Sequence, residues 1–162
     1  MQDYLNPVIA SLAKQLQQAG WSLVIAESCT GGAVAKACTT VAGSSTWFDS
    51  GFVVYSNAAK QRLLKVAPQT IEAYGAVSEA VVLEMAKGAL QHSVAQVALA
   101  ISGIAGPGGG SAYKPVGTVC VAVVVRAGIE WVHTFYFQGN REQVRDQAVV
   151  EALKAVDSLL AS

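Results

Sequence analysis

A serine set among small residues, Glu27-Ser28-Cys29-Thr30-Gly31-Gly32, lies between a short apolar run and a stretch of helical spacing. At such a strand-to-helix turn several unpaired backbone N–H groups converge beside the positive end of a helix dipole, a setting suited to an oxyanion. Ser28 is therefore a candidate nucleophile, and the N–H groups of Cys29, Thr30, Gly31 and Gly32 are candidate donors to a tetrahedral intermediate. The same position equally suits Ser28 or Thr30 as a plain helix cap. Cys29 competes for the attacking role, because a thiol near a helix N-terminus is acidified. As a small apolar side chain it also suits the space behind the loop. Glu27 can orient Ser28 or a substrate hydroxyl, or pair with a charged neighbour.

A serine nucleophile needs a group to take its proton, and neither histidine is well placed for it. His92 falls at a helix end, where a partly positive imidazole is favoured structurally. His133 alternates with Trp131, Phe135 and Phe137 on one strand face, which favours packing. A lysine serves as base if its amine is neutral, which desolvation or a nearby positive potential brings about. With Asn57 as a cap, Lys60 falls at the third position of a helix, where the dipole depresses its pKa; the competing reading is an exposed lysine. Tyr55 can relay a proton or stack on an aromatic ligand.

Two further segments carry binding chemistry. The glycine-rich run after Ile101, Ser102-Gly103-Ile104-Ala105-Gly106-Pro107-Gly108-Gly109-Gly110, offers bare backbone to a phosphate or a ring edge, although it matches neither a Walker loop nor a dinucleotide fingerprint. Arg141 and Arg145, four residues apart, share a helix face and can clamp a phosphate, or else pair with Glu142, Asp146 or a neighbouring subunit.

The elements that must position these residues follow from periodicity. Leu5, Val8, Ile9, Leu12 and Leu16 recur at helical spacing after Asp3 as a possible cap, with Gly20 at the end. A strand is expected over 21–26, a helix over 31–40, a strand over 47–55 and a helix from Asn57 to about 64. Pro68 and Gly75 punctuate the next stretch, Ser78 caps a helix to about 92, and a buried strand occupies 94–102. Residues 103–117, with six glycines and two prolines, read as one long loop. Strands over 116–125 and 129–137 flank an Ala127-Gly128 turn, and Asn140 caps a terminal helix over 141–160. This order predicts a layered α/β fold over residues 1–162, a single domain with a mixed sheet flanked by helices and ligands at the strand ends.

Composition narrows the function classes. Eleven basic and eleven acidic residues balance, with no basic cluster, so nucleic acid is not an expected partner. No apolar run reaches the roughly 18 residues of a membrane span, and the N-terminal stretch does not resemble a secretory leader. Three cysteines without C-x-x-C spacing suggest neither a disulfide framework nor a zinc site and fit a reducing cytoplasm. The 52% hydrophobic content and the Trp131, Phe135, Phe137 face suggest a homodimer or larger homo-oligomer.

Six motifs occur in order: Ala26-Glu-Ser-Cys-Thr-Gly-Gly32, Ala42-Gly-Ser-Ser45, Gly51-Phe-Val-Val-Tyr-Ser-Asn57 with Lys60, Gly75-Ala-Val-Ser-Glu79, Ser102-Gly-Ile-Ala-Gly-Pro107 and Lys114-Pro-Val-Gly-Thr118. Together they strongly resemble the CinA C-terminal domain family, over most of the chain. The resemblance implies an amidohydrolase that converts nicotinamide mononucleotide to nicotinic acid mononucleotide and ammonia in pyridine-nucleotide recycling, without metal or organic cofactor. It maps a serine/lysine pair onto Ser28 and Lys60, and substrate or supporting roles onto Tyr55, Asn57, Thr30, the Ser102 to Gly106 loop and Arg145. Two positions depart from the family pattern: Gly108 replaces a common acidic residue, and Cys120 stands where a bulky aromatic is expected. A nucleotide-binding or regulatory module of the same fold is the alternative.

Overall fold

The computed structural model describes Met1–Ser162. Helix α1 (Gln2–Ala19) buries Leu5, Ile9, Leu12 and Leu16 along one stripe. It ends at Gly20, whose φ of 67° closes the helix in the left-handed conformation. Met1 is the cap, so Asp3, expected to cap the helix, lies inside its first turn. Strand β1 (Leu23–Glu27) leads into the Ser28 loop and then α2 (Ala33–Cys38). Gly31 and Gly32, with φ of 59° and 100°, delay that helix beyond its expected start.

A short 3-10 turn (Ser44–Thr46) precedes β2 (Phe48–Val53), and α3 (Asn57–Leu64) follows. Asn57 is not its cap. Ser56 is, accepting a hydrogen bond from Ala59 N, so Asn57 is the first helical residue and Lys60 the fourth. Helix α4 (Pro68–Tyr74) was not expected from periodicity, since it buries no residue and so carries no apolar stripe. Helix α5 (Glu79–Gln91) is capped by Ser78 as expected, and β3 (Val97–Gly103) opens the glycine-rich loop. Strands β4 (Thr118–Val125) and β5 (Glu130–Tyr136) form the antiparallel hairpin, and α6 (Arg141–Ala161) begins with an Asn140–Gln143 capping box.

The five strands form one mixed sheet in the order β2-β1-β3-β4-β5, with β1 parallel to β2 and β3 and the rest antiparallel. The fold is therefore the α/β class with a mixed, helix-flanked sheet that the element order predicted. Its two faces differ in side-chain size. Leu23, Ile25, Leu99, Ile101, Val121 and Val123 point toward α1, α2 and α6, whereas Ala26, Ala98, Ala100 and Ala122 lie under α5. Small residues let α5 sit close to the sheet, and Gly88 lets α3 sit close to α5: a Cβ on Gly88 would stand 2.0 Å from the Leu64 carbonyl oxygen. No helix is long and apolar enough to cross a membrane.

Because chain connections place β2 and β3 on opposite sides of β1, a crevice opens at the carboxyl ends of these parallel strands. Ser28 follows β1, Tyr55 follows β2 and Ser102 closes β3, so three candidate segments meet there. Gly88→Ala is expected to force α3 away from α5 and to destabilise the protein by about 1–3 kcal/mol, the usual range for overpacking. Thermal denaturation reads this as a lowered Tm.

Candidate active site

The Ser28 turn is built on a buried carboxylate. Glu27, 1% exposed, accepts hydrogen bonds through Oε1 from Thr30 Oγ1 at 2.6 Å, Gly32 N at 3.1 Å and Val34 N at 3.0 Å. Its Oε2 accepts from Ala35 N at 3.0 Å. Glu27 therefore fills the N-terminus of α2 with its own side chain, and neither orients Ser28 directly nor faces a ligand, as sequence position had allowed. Thr30 is fully buried beside it.

This arrangement limits the oxyanion donors. Gly32 N is held by Glu27 and Gly31 N donates to the Ser28 carbonyl at 3.1 Å, so neither expected N–H group is free. Within the loop the N–H groups of Cys29 and Thr30 have no acceptor in the protein, and of these two residues only Cys29 lines the crevice. Arg145 braces the turn from behind, with Nε donating to Cys29 O at 3.1 Å and Nη2 to Thr30 O at 3.4 Å. Glu27, Thr30, Gly31, Gly32 and Arg145 thus form the frame of the turn and do not line its cavity.

Lys60 reaches Ser28 across the sheet end. Its Nζ lies 3.0 Å from Ser28 Oγ, 3.1 Å from Val54 O and 3.1 Å from Tyr55 O, and the residue is 1% exposed. As an ammonium it donates to all three. As an amine it has two hydrogens for the two carbonyls, and its lone pair then faces the serine hydroxyl. Burial lowers the pKa of Lys60 below its ordinary value, and the only opposing influence is the weak attraction of Cys29. The depression expected from the helix dipole is replaced by desolvation, consistent with Lys60 lying at the fourth helical position with its own N–H bonded to Ser56 O.

Cys29 is 6% exposed, and its thiol packs among the large apolar residues behind the loop. Burial raises its pKa to about 11, outweighing its own backbone N–H and the cations of Arg145 and Lys60. It remains a protonated thiol at neutral pH, the small filler that the sequence left as one of two alternatives.

A cavity of about 250 Å³ opens in front of the pair, lined by Ser28, Cys29, Tyr55, Asn57, Lys60, Ser102 and Arg141, with Gly103, Ile104, Ala105 and Gly106 along the glycine-rich loop. Ser102 Oγ donates to Ala76 O at 2.8 Å, which ties β3 to the segment before α5. The Asn57 side chain makes no hydrogen bond within the protein. Tyr55, 60% exposed, bears its hydroxyl at the rim, where it accepts from Arg141 Nη2 at 3.0 Å. Its main-chain carbonyl, and not the phenol, touches the Ser28–Lys60 pair. Arg141 also donates to Gly106 O at 2.8 Å, so Arg141 and Arg145 diverge to different partners in place of a shared clamp or ion pairs with Glu142 or Asp146.

Sequence reasoning missed Ala76 and Val77 as cavity walls, whereas Gly108 and Gly109 line the cavity as part of the glycine-rich run it singled out. Ala76 and Val77 have no reactive atoms, and only their place in an ordered motif marked them. Gly108 faces open space, so an acidic side chain there would meet nothing within 4 Å at its Cβ. The other departure, Cys120, is buried under α5 with Sγ 3.5 Å from Thr134 Oγ1. No three His, Cys, Asp or Glu side chains come together as a metal-ligand set.

Known proteins place this arrangement in a lineage. The CinA C-terminal domain model matches residues 5–160. The nicotinamide-nucleotide amidohydrolase PncC of Enterobacter agglomerans is 53% identical over 150 residues, covering 93% of this chain and 92% of that protein. The nicotinamide-nucleotide amidohydrolase PncC of Escherichia coli (strain K12) is 49% identical over 152 residues, covering 91% and 92% respectively. The crystal structure of competence/damage inducible protein CihA from Agrobacterium tumefaciens superposes with a TM-score of 0.94 at 41% identity, over 98% of this chain and 96% of that one. With a family match across nearly its whole length and two relatives near half identity, the chain belongs to the CinA C-terminal domain family.

Proposed function

We propose that this protein hydrolyses the carboxamide of nicotinamide mononucleotide, releasing ammonia and nicotinic acid mononucleotide, with Ser28 as nucleophile and Lys60 as its base. The observation that carries the proposal is the buried Lys60 amine 3.0 Å from Ser28 Oγ with no carboxylate beside it. Two near full-length relatives named nicotinamide-nucleotide amidohydrolase support the substrate class.

Neutral Lys60 takes the Ser28 proton as Oγ attacks the carboxamide carbon, and the negative oxygen that forms is held by the Cys29 N–H. The proton passes from Lys60 to the amide nitrogen, the C–N bond breaks and ammonia leaves a nicotinoyl ester on Ser28. Water, deprotonated by Lys60, then attacks the ester carbon. The proton returns to Ser28 and the carboxylate product departs. A pyridinium ring in the cavity adds positive potential, which favours the neutral amine.

The cavity of about 250 Å³ has no acidic lining residue. It is smaller than the roughly 300–1,000 Å³ usual for drug-sized ligands, so it suits the ring, with the phosphate at the rim. Two of the five Arg141 N–H donors are engaged there, which leaves three for the phosphate. Tyr55 and Asn57 stand at the same mouth, the first to flank the ligand and the second with a free amide to hydrogen-bond it. Pyridine-nucleotide recycling in the cytoplasm is the setting this activity fits.

Ser28→Ala and Lys60→Ala should each lower kcat at least about a thousandfold, as for removal of either member of a nucleophile–base pair. Lys60→Arg should not rescue, because a guanidinium stays charged. Cys29→Ala keeps the backbone N–H and should retain turnover, whereas its inactivity would shift the attack to the thiol. An ammonia-release assay on nicotinamide mononucleotide reads all four.

Because the amine is the active form and burial lowers its pKa, kcat/KM should rise with pH and level off below the ordinary lysine value. Activity should fall as pH drops through that pKa. A profile still climbing at the free-lysine value of about 10.4 would contradict a desolvated base.

Arg141→Ala should raise KM for nicotinamide mononucleotide about tenfold or more, the scale of a lost charged hydrogen bond, and leave kinetics on the riboside unchanged. An equal loss on both substrates would remove the phosphate role.

A further inference from the structure

Attack by Ser28 on an amide leaves the developing oxyanion with one donor from the serine turn, the Cys29 N–H, because Glu27 and the Ser28 carbonyl take the N–H groups of Gly32 and Gly31. Oxyanion sites in acyl transfer usually present more than one donor. A second has to come from another wall of the cavity.

The glycine-rich loop contains two buried residues, Ala105 and Gly106, whose main-chain N–H groups have no acceptor in the protein, and both line the cavity. A buried N–H without a partner is rare and costly, so its partner is what occupies the cavity. Sheet pairing gives one of the two a heading. Ile104 is bonded twice toward β4: its N–H donates to Thr118 O at 2.9 Å, and its carbonyl accepts from Gly117 N at 2.8 Å. The Ile104–Ala105 peptide bond is trans, and in a trans peptide the C=O and the N–H point opposite ways. The Ala105 N–H therefore points away from β4. Because β3 lies between β4 and β1, that direction leads to β1 and the Ser28 turn that continues it.

Contacts along β3 bring the two segments together. The Ser28 N–H donates to Ile101 O at 3.0 Å, and a Cβ built on Gly103, two residues before Ala105, would stand 3.0 Å from Cys29 Sγ. Ala105 and Cys29 also share one apolar cluster. Both are buried like Ser28, whereas Tyr55 and Arg141 stand at the exposed rim. No comparable bond aims the Gly106 N–H, and the Gly106 carbonyl accepts from Arg141.

We propose that the Ala105 N–H is the second oxyanion donor, so that the glycine-rich loop and the serine turn each give one N–H to the oxygen that becomes negative as Ser28 attacks. The loop then takes part in the chemical step and is more than a wall for the ring. Ala105 acts through its main chain, which is why its side-chain type carries no catalytic signal.

The test replaces Ala105 by lactic acid through suppression of a stop codon, which exchanges the N–H for an ester oxygen and keeps the methyl group. Turnover of nicotinamide mononucleotide is expected to lose about 100–1,000-fold in kcat, as for removal of one oxyanion donor, with KM unchanged. An unchanged kcat overturns the proposal. So does a raised KM at unchanged kcat, which would mean that the N–H binds ground state and transition state alike. If the ester protein does not fold, the wild type decides. With an aldehyde in place of the carboxamide of the mononucleotide, Ser28 Oγ adds to the aldehyde carbon and its proton passes to Lys60, leaving the oxygen where the oxyanion forms. In proton–nitrogen correlation spectra the amide protons of Cys29 and Ala105 should both move downfield on addition, and movement of Cys29 alone overturns the proposal. The inference rests on Ser28 as nucleophile, and failure of that reading shows separately, as turnover retained by Ser28→Ala and no adduct with the aldehyde.

Discussion

Lys60 places an amine below the protein surface, where two main-chain carbonyls and one hydroxyl surround it and no anion compensates a charge. Removing a lysine from water is costly, and the cost falls mainly on the protonated form. Much of the remaining structure serves to keep that side chain where it is. The Ser56 cap starts α3 at the right residue, Gly88 permits α3 to lie against α5, and Leu64 and Val66 anchor its far end in the core. The parallel pairing of β1 with β2, continued by Val54 N donating to Glu27 O at 2.8 Å, carries the two acceptor carbonyls to the level of Ser28.

The turn opposite is held by a different device. Where α3 has a hydroxyl cap, α2 has a glutamate that arrives from the preceding strand and fills the helix end completely. Arg145 completes the brace from α6 by taking the carbonyls of Cys29 and Thr30. Polar groups in this region are satisfied by one another, and no buried side-chain nitrogen or oxygen lacks a partner anywhere in the chain. A turn so constrained presents its serine in one orientation.

Much of the fold was legible because its signals are local. Apolar stripes, the Gly20 stop, the Ser78 and Asn140 caps and the hairpin turn each follow from residues close in sequence. The candidate site was legible in its membership and less so in its roles. Ser28 and Lys60 meet as expected, but nothing in a linear pattern distinguishes Ser56 from Asn57 as the cap, since both residue types cap helices well. Glu27 read as an orienting group or an ion-pair partner because its donors lie three to eight residues later, in the turn and the start of α2, and only the left-handed turn at Gly31 and Gly32 brings them back over it. Tyr55 was assigned by its phenol and acts on the pair through its carbonyl, a main-chain contribution that side-chain identity does not reveal. Helix α4, which buries no residue, left no apolar trace to follow.

The unequal faces of the sheet have a consequence for the site. The Ser28 turn and α2 belong to the layer where the strands present leucine, isoleucine and valine, and α3 with Lys60 belongs to the layer where they present mainly alanine under α5. The two reacting groups are therefore carried by opposite layers and meet at the sheet end, where the strands leading to Ser28 and to the Val54 and Tyr55 carbonyls set their separation. The sheet acts as a calliper, and strand register on one side with the close approach of α3 to α5 at Gly88 on the other sets that gap.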